Sequence, residues 1–84
     1  PGQVYCVMVR SPYAHGTIRG IDTSAAKELP GVLGAWTGAD LQAAGFGAMS
    51  CILPLKNRDG SPLRNIERPS LAIDKVRFVG DPVA

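Results

Sequence analysis

Histidine is nearly missing from this sequence: His15 stands alone among 84 residues. A zinc or general-base site built on it would need partners, and no carboxylate or second histidine lies at ligand spacing. The expected role of His15 is structural, its ring bonded to turn backbone. Cysteine is equally scarce, with only Cys6 and Cys51, far apart and outside any C-x-x-C spacing. Neither can be an iron–sulfur ligand without companions at cluster spacing. Two thiols in a reducing cytoplasm is the ordinary reading, with a disulfide between them left open. No apolar run approaches the roughly 20 residues a membrane helix needs, and no secretory leader is expected. A strong charge bias is also lacking. Nine Lys and Arg against seven Asp and Glu give +2, spread along the chain, so neither nucleic acid nor a membrane is expected as a partner.

The catalytic signatures are missing too. Ser11 and Ser24 have no G-x-S-x-G context, and Gly31, Gly34 and Gly38 form no dinucleotide or phosphate loop. Asp22, Glu28 and Asp40 read as capping and surface carboxylates rather than as an acid–base pair. Arg58, Arg64 and Arg68 read as a solvated loop rather than an anion cradle. The expected catalytic, cofactor-binding and metal residues are therefore none.

What is present is an apolar fraction of 45%, enough for one core, with 19% charged residues for a soluble surface. A single α+β domain spanning 1–84 is expected, and folding should bury only about 60–65% of the unfolded chain's surface. Gln3–Arg10 reads as a strand apolar on both faces, with Val4, Cys6 and Met8 on one side and Tyr5, Val7 and Val9 on the other. Such a strand should be central and covered twice, which makes Cys6 a packing residue. Ser11-Pro12 ends it, and Thr17–Ile21 reads as a second short strand. Asp22 or Thr23 then caps a helix of about two turns, whose Ala25 and Leu29 should face the sheet. Pro30-Gly31 stops it.

Val32–Trp36 is expected to return as a strand. Thr37-Gly38-Ala39-Asp40 has the form of a capping box opening a short helix through Ala44, with Gly45 as its stop. The stretch 45–70 is irregular. Asp59-Gly60 reads as a hairpin turn between short extended pieces at Ile52–Leu55 and Leu63–Ile66. Ser70–Ile73 and Lys75–Val79 read as strands kinked at Asp74, and Gly80-Asp81-Pro82 as a turn. The chain opens at Pro1 and stops as an apolar run begins at Val83-Ala84, so a piece cut from a longer polypeptide is expected.

Two blocks carry a family resemblance. RSPYAHGTIRGIDTSAAKELPGVLGAWTGADL, from Arg10 to Leu41, and RPSLAIDKVRFVGDPVA, from Arg68 to Ala84, resemble the start of the molybdenum-binding large subunit of the xanthine dehydrogenase family. That family includes aldehyde oxidases and aerobic carbon monoxide dehydrogenases. Tyr13, Gly16, Phe78 and Asp81 depart from its usual residues without touching chemistry, and residues 45–67 match no motif. The resemblance implies an α/β hammerhead: a mixed sheet with two short helices, at the amino-terminal end of the large subunit. It implies a cytoplasmic parent enzyme that hydroxylates an aldehyde, a heteroaromatic carbon or a CO-type substrate. The molybdopterin cytosine dinucleotide, 2Fe-2S clusters and the FAD that the family often uses would belong to other domains or subunits, which are the expected partners. The loop 45–65 is a candidate for shaping substrate access.

The rival reading is a hammerhead or barrel-sandwich carrier of biotin or lipoate. It would need a lysine at a tight hairpin tip, and Lys56 and Lys75 lack the flanking signature.

Overall fold

Thr37 shows most directly how sequence becomes structure here. In the computed structural model, which describes residues 1–50 and 52–84, Thr37 has extended backbone and receives the Asp40 amide on its side chain. Asp40 reaches back to the Thr37 amide at 2.7 Å and to its hydroxyl at 2.8 Å. This reciprocal capping box satisfies otherwise orphaned donors and starts helix α2, Gly38–Ala43. Gly45, at φ +84°, ends it as the sequence predicts.

Helix α1, Ser24–Glu28, begins differently. Thr23 occupies the cap position but makes no side-chain cap bond; Asp22, one residue earlier, accepts from the Ser24 amide and hydroxyl instead. Pro30 forces Leu29 into extended geometry, ψ 134°, and Gly31 turns at φ +86°. Contrary to expectation, Ala25 and Leu29 face no sheet: both are exposed, and α1 buries no residue.

The sheet consists of β1, Gly16–Thr17, antiparallel to β2, Lys75–Val76. The pairing continues beyond both strands. Ile18 donates to Asp74 on one side, while Val9, Ser11, Gly80 and Val83 exchange backbone bonds at 2.8–2.9 Å on the other. The pairs Arg10–Pro82, Gly16–Val76 and Thr17–Lys75 share one register, since six steps separate Arg10 from Gly16 and six separate Val76 from Pro82. Residues 9–18 and 74–84 thus form one interrupted ribbon. Pro82 fits within it because Arg10–Pro82 is a position where no donor is required from proline toward Arg10; its carbonyl turns the other way, to the Ala72 amide at 2.8 Å.

Leu71, Ala72 and Val76 are the buried apolar residues among those described, with Ser11 and Gly38 buried beside them. This small core sits where the start of α2 meets residues 71–73. Gly38 makes the approach possible: a Cβ there would lie 2.8 Å from the carbonyl oxygens of both Leu71 and Ala72. Asp59-Gly60 forms its hairpin, closed by Asn57–Ser61 bonding and a Lys56–Pro62 bridge. Asp59 accepts from the Ser61 amide and hydroxyl, and Gly60 takes φ +83°.

Several expected strands are not paired among the described residues. Gln3–Met8 makes no backbone bond, and Tyr5 and Val7 are 89% and 83% exposed. Cys6 is exposed rather than packed. Val32–Trp36 carries no ladder, and the strands expected at 17–21 and 75–79 shorten to two residues each. For Gln3–Met8 the reason is that a pattern apolar on both faces specifies covering layers, and the described residues do not supply them. Total accessible surface is 7230 Å², against about 4,800 Å² for a compact protein of this mass. The chain therefore buries about 43% of its unfolded surface, well below the expected 60–65%. Its radius of gyration is 16.4 Å, against about 12 Å for a compact chain of this length.

Candidate functional site

The ribbon joins the two blocks singled out in the sequence. Ser11 donates to Asp81 at 2.9 Å and accepts from Gly80 at 2.8 Å, and the Arg10 guanidinium donates to the Gly80 carbonyl at 2.9 Å. The Ser11 hydroxyl closes the following turn, accepting from the Tyr13 amide at 3.0 Å and donating to its carbonyl. Ser11 is thus spent on backbone, which explains its burial without a nucleophilic role. Asp81 folds back to accept from the Arg77 amide at 2.9 Å, holding the turn at Gly80, φ +90°.

Two grooves flank the start of α2 and share Gly38 and Ile73. One, of about 310 Å³, is lined by Leu41, Phe46, Pro69, Leu71 and Glu67. The other, of about 260 Å³, lies against Ile18, Ile21 and Thr37. Both are open to solvent, with polar and apolar surface in nearly equal share. Among the described residues that line them, neither gathers an acid, a base and a nucleophile.

The remaining sequence candidates are dispersed. His15 is exposed, and among the described residues no hydrogen bond forms at its ring, in place of the expected bond to turn backbone. Ser24 is a partner of Asp22. Arg68 lies over the Phe78 ring at 5.8 Å, and its backbone exchanges bonds with Met49. Lys56 sits at the base of its hairpin, with Arg58-Asp59-Gly60 at the tip, and Lys75 lies within β2; neither is presented as a carrier lysine would be. Cys51 lies outside the described residues. Among the described residues, no three His, Cys, Asp or Glu converge on a point that could hold a metal.

Three carboxylates are held below their ordinary range, chiefly by hydrogen bonds, with the Lys27 charge adding to the effect at Asp40. The Ser24 hydroxyl, then its amide, lowers Asp22. The Thr37 amide, then its hydroxyl, lowers Asp40, and the Ser61 hydroxyl and amide lower Asp59. All three tie down turns and helix starts. The residue whose packing role sequence reasoning missed is Gly38, which the sequence reading places only within a capping box and a rejected glycine motif. Its signal was a glycine at the first helical position, where almost any other residue forms helix better.

Comparison with known proteins agrees with this picture. Over residues 1–84 the chain matches the family described as aldehyde oxidase and xanthine dehydrogenase, a/b hammerhead domain. It is 45% identical over 84 residues to the nicotine 6-hydroxylase large subunit of Paenarthrobacter nicotinovorans, covering 98% of this chain and 9% of that protein. It is 52% identical over 42 residues to the carbon monoxide dehydrogenase large chain of Afipia carboxidovorans, covering 50% of this chain and 5% of that one. The chain thus spans less than a tenth of either relative. No solved structure matches it. No helix among the described residues is long and apolar enough to cross a membrane. With the whole length matched and the two short helices and antiparallel pair in place, the chain belongs to the aldehyde oxidase and xanthine dehydrogenase family of molybdenum hydroxylases, as its α/β hammerhead domain.

Proposed function

We propose that residues 1–84 are a non-catalytic packing domain near the amino-terminal end of the large subunit of a cytoplasmic molybdenum hydroxylase. The single observation that carries this is the surface. About 2,400 Å² more is exposed than a self-contained protein of this mass shows. That excess, on one partner alone, is the scale of obligate interfaces. Its most open apolar side chains, Tyr5, Val7, Leu33 and Ile52, are scattered over several segments, so the covering surface is broad. The occupants proposed are later domains of the same large subunit and an iron–sulfur component, with a flavin component as a further partner.

The parent chemistry on this reading is hydroxylation of an aldehyde, a heteroaromatic carbon or a CO-type substrate. A molybdopterin cofactor, in its cytosine dinucleotide form, would supply the oxygen- and electron-transfer chemistry when bound elsewhere. On this reading that centre lies outside residues 1–84. Their part is to hold shape and exclude water at the domain junction. The loop 45–65 borders the larger groove through Phe46, Gly47 and Ala48, which supports a role in shaping access.

His15→Gln and Cys6→Ala in the intact enzyme test the non-catalytic assignment. Turnover per molybdenum should stay within about twofold, because a positioned acid or base contributes about 10²–10⁴-fold. A drop of a hundredfold in fully assembled, metal-loaded enzyme would overturn the reading.

A further inference from the structure

We infer that residues 3–10 are a strand-addition site, whose outer edge takes an extended apolar strand from the remainder of the large-subunit polypeptide. The inference rests on the reading above that these residues work inside a longer chain.

The argument is one of parity. In an antiparallel ladder each residue directs its N–H and C=O to the same side, and the side alternates along the strand. Val9 gives its amide to Ala84 and its carbonyl to Val83, and Ser11 likewise bonds Asp81 and Gly80. Odd-numbered residues therefore face the side of the 80–84 segment, which Val9 and Ser11 reach and Tyr5 and Val7 do not. Even-numbered residues, Val4, Cys6, Met8 and Arg10, address the opposite edge, where no backbone bond is made among the described residues. The 80–84 segment is itself held on its far side, through the Pro82 carbonyl and the Ala72 amide. The order is thus outer edge, residues 9–11, residues 81–84, then Ala72, with the free row of donors and acceptors on the outside.

Side-chain placement agrees with an extended segment. The Cys6 and Met8 sulfurs lie 3.9 Å apart, as residues two apart on one face do. Both faces are apolar, so an added strand would meet no charge between Gln3 and Val9. A long, exposed, uncharged edge of this kind templates strand pairing. A second copy joined edge to edge would bond the outer row but leave both apolar faces open. Some nine-tenths of the nicotine 6-hydroxylase large subunit lies outside the matched stretch, enough polypeptide to supply a strand and two covering layers.

Residue-resolved hydrogen exchange on the intact enzyme tests this, with hydroxyl-radical footprinting of Tyr5 in parallel. The amides of Val4, Cys6, Met8 and Arg10 should exchange at least about a hundredfold more slowly than unstructured references. Tyr5 should be shielded at least tenfold relative to the free amino acid. Protection confined to Tyr5, Val7 and Val9 amides would overturn the outer-edge assignment while leaving the packing-domain reading in place. An unshielded Tyr5 would overturn both. Even-numbered protection that disappears when the enzyme is diluted to single copies would assign the edge to a second molecule and overturn the proposed occupant.

Discussion

Replacing Gly38 by alanine tests whether the close approach of α2 to residues 71–73 holds the small core together. The added Cβ would sit 2.8 Å from two backbone oxygens and 2.9 Å from Ile73 Cγ1, where ordinary contact begins near 3.4 Å. Relief requires a shift of about 0.6 Å in backbone that carries the buried Leu71 and Ala72. Overpacking of this kind costs about 1–3 kcal/mol. The opposing gain from placing alanine in a helix is at most about 1 kcal/mol. The net loss is then about 1–2 kcal/mol, equivalent to about a 5- to 30-fold rise in local opening. The readout is the Ala72 amide, whose bond to Pro82 breaks when the segment moves. Gly47→Ala is the control, since Gly47 has open space around its absent Cβ and no positive φ; Ala72 exchange should then stay within about twofold. Equal exchange in the two variants would refute the reasoning.

Thr37→Ala should destabilise α2 by about 1 kcal/mol, seen as faster exchange at the Asp40 amide, whereas Thr37→Ser should not. Gly80→Ala forces a side chain into φ +90° and should cost about 1–2 kcal/mol, measured as loosening of the Gly80–Ser11 bond. Asp22, Asp40 and Asp59 have folded pKa values below their ordinary 3.8, so the folded chain binds fewer protons than the unfolded one. Their stabilisation is fully present above that value and lost as pH falls through the lowered ones. Amides at Ser24, Thr37 and Ser61 should loosen as pH falls below 3.8 and through the lowered values, and Asp→Asn at each position should flatten that slope locally. Val7→Lys and Leu33→Lys should block assembly of soluble large subunit; normal yield and metal content would show that this face stays in solvent.

What could be read from the sequence follows how local each interaction is. The Thr37–Asp40 box, the Asp59-Gly60 turn and the Pro30-Gly31 stop are settled within three or four residues, and each stands as its residue types require. The start of α1 was half legible: Thr23 holds the cap position while Asp22 supplies the oxygen, a division that composition does not reveal. Strand extents were not legible, because pairing depends on partners 60 or 70 residues away. Tyr5 and Val7 have a buried pattern without a burying surface. The grooves beside α2 could not be foreseen either, since they exist only because Gly38 lets a helix touch the backbone of a segment more than 30 positions later.

The shared register of Arg10–Pro82 and Gly16–Val76 restricts how this domain can vary in length. One residue gained in the turn after Ser11 would rotate every side chain on one arm to the opposite face, unless the arm before Pro82 gained one as well. Length changes here are tolerable only as matched pairs, so the two turns must lengthen or shorten together.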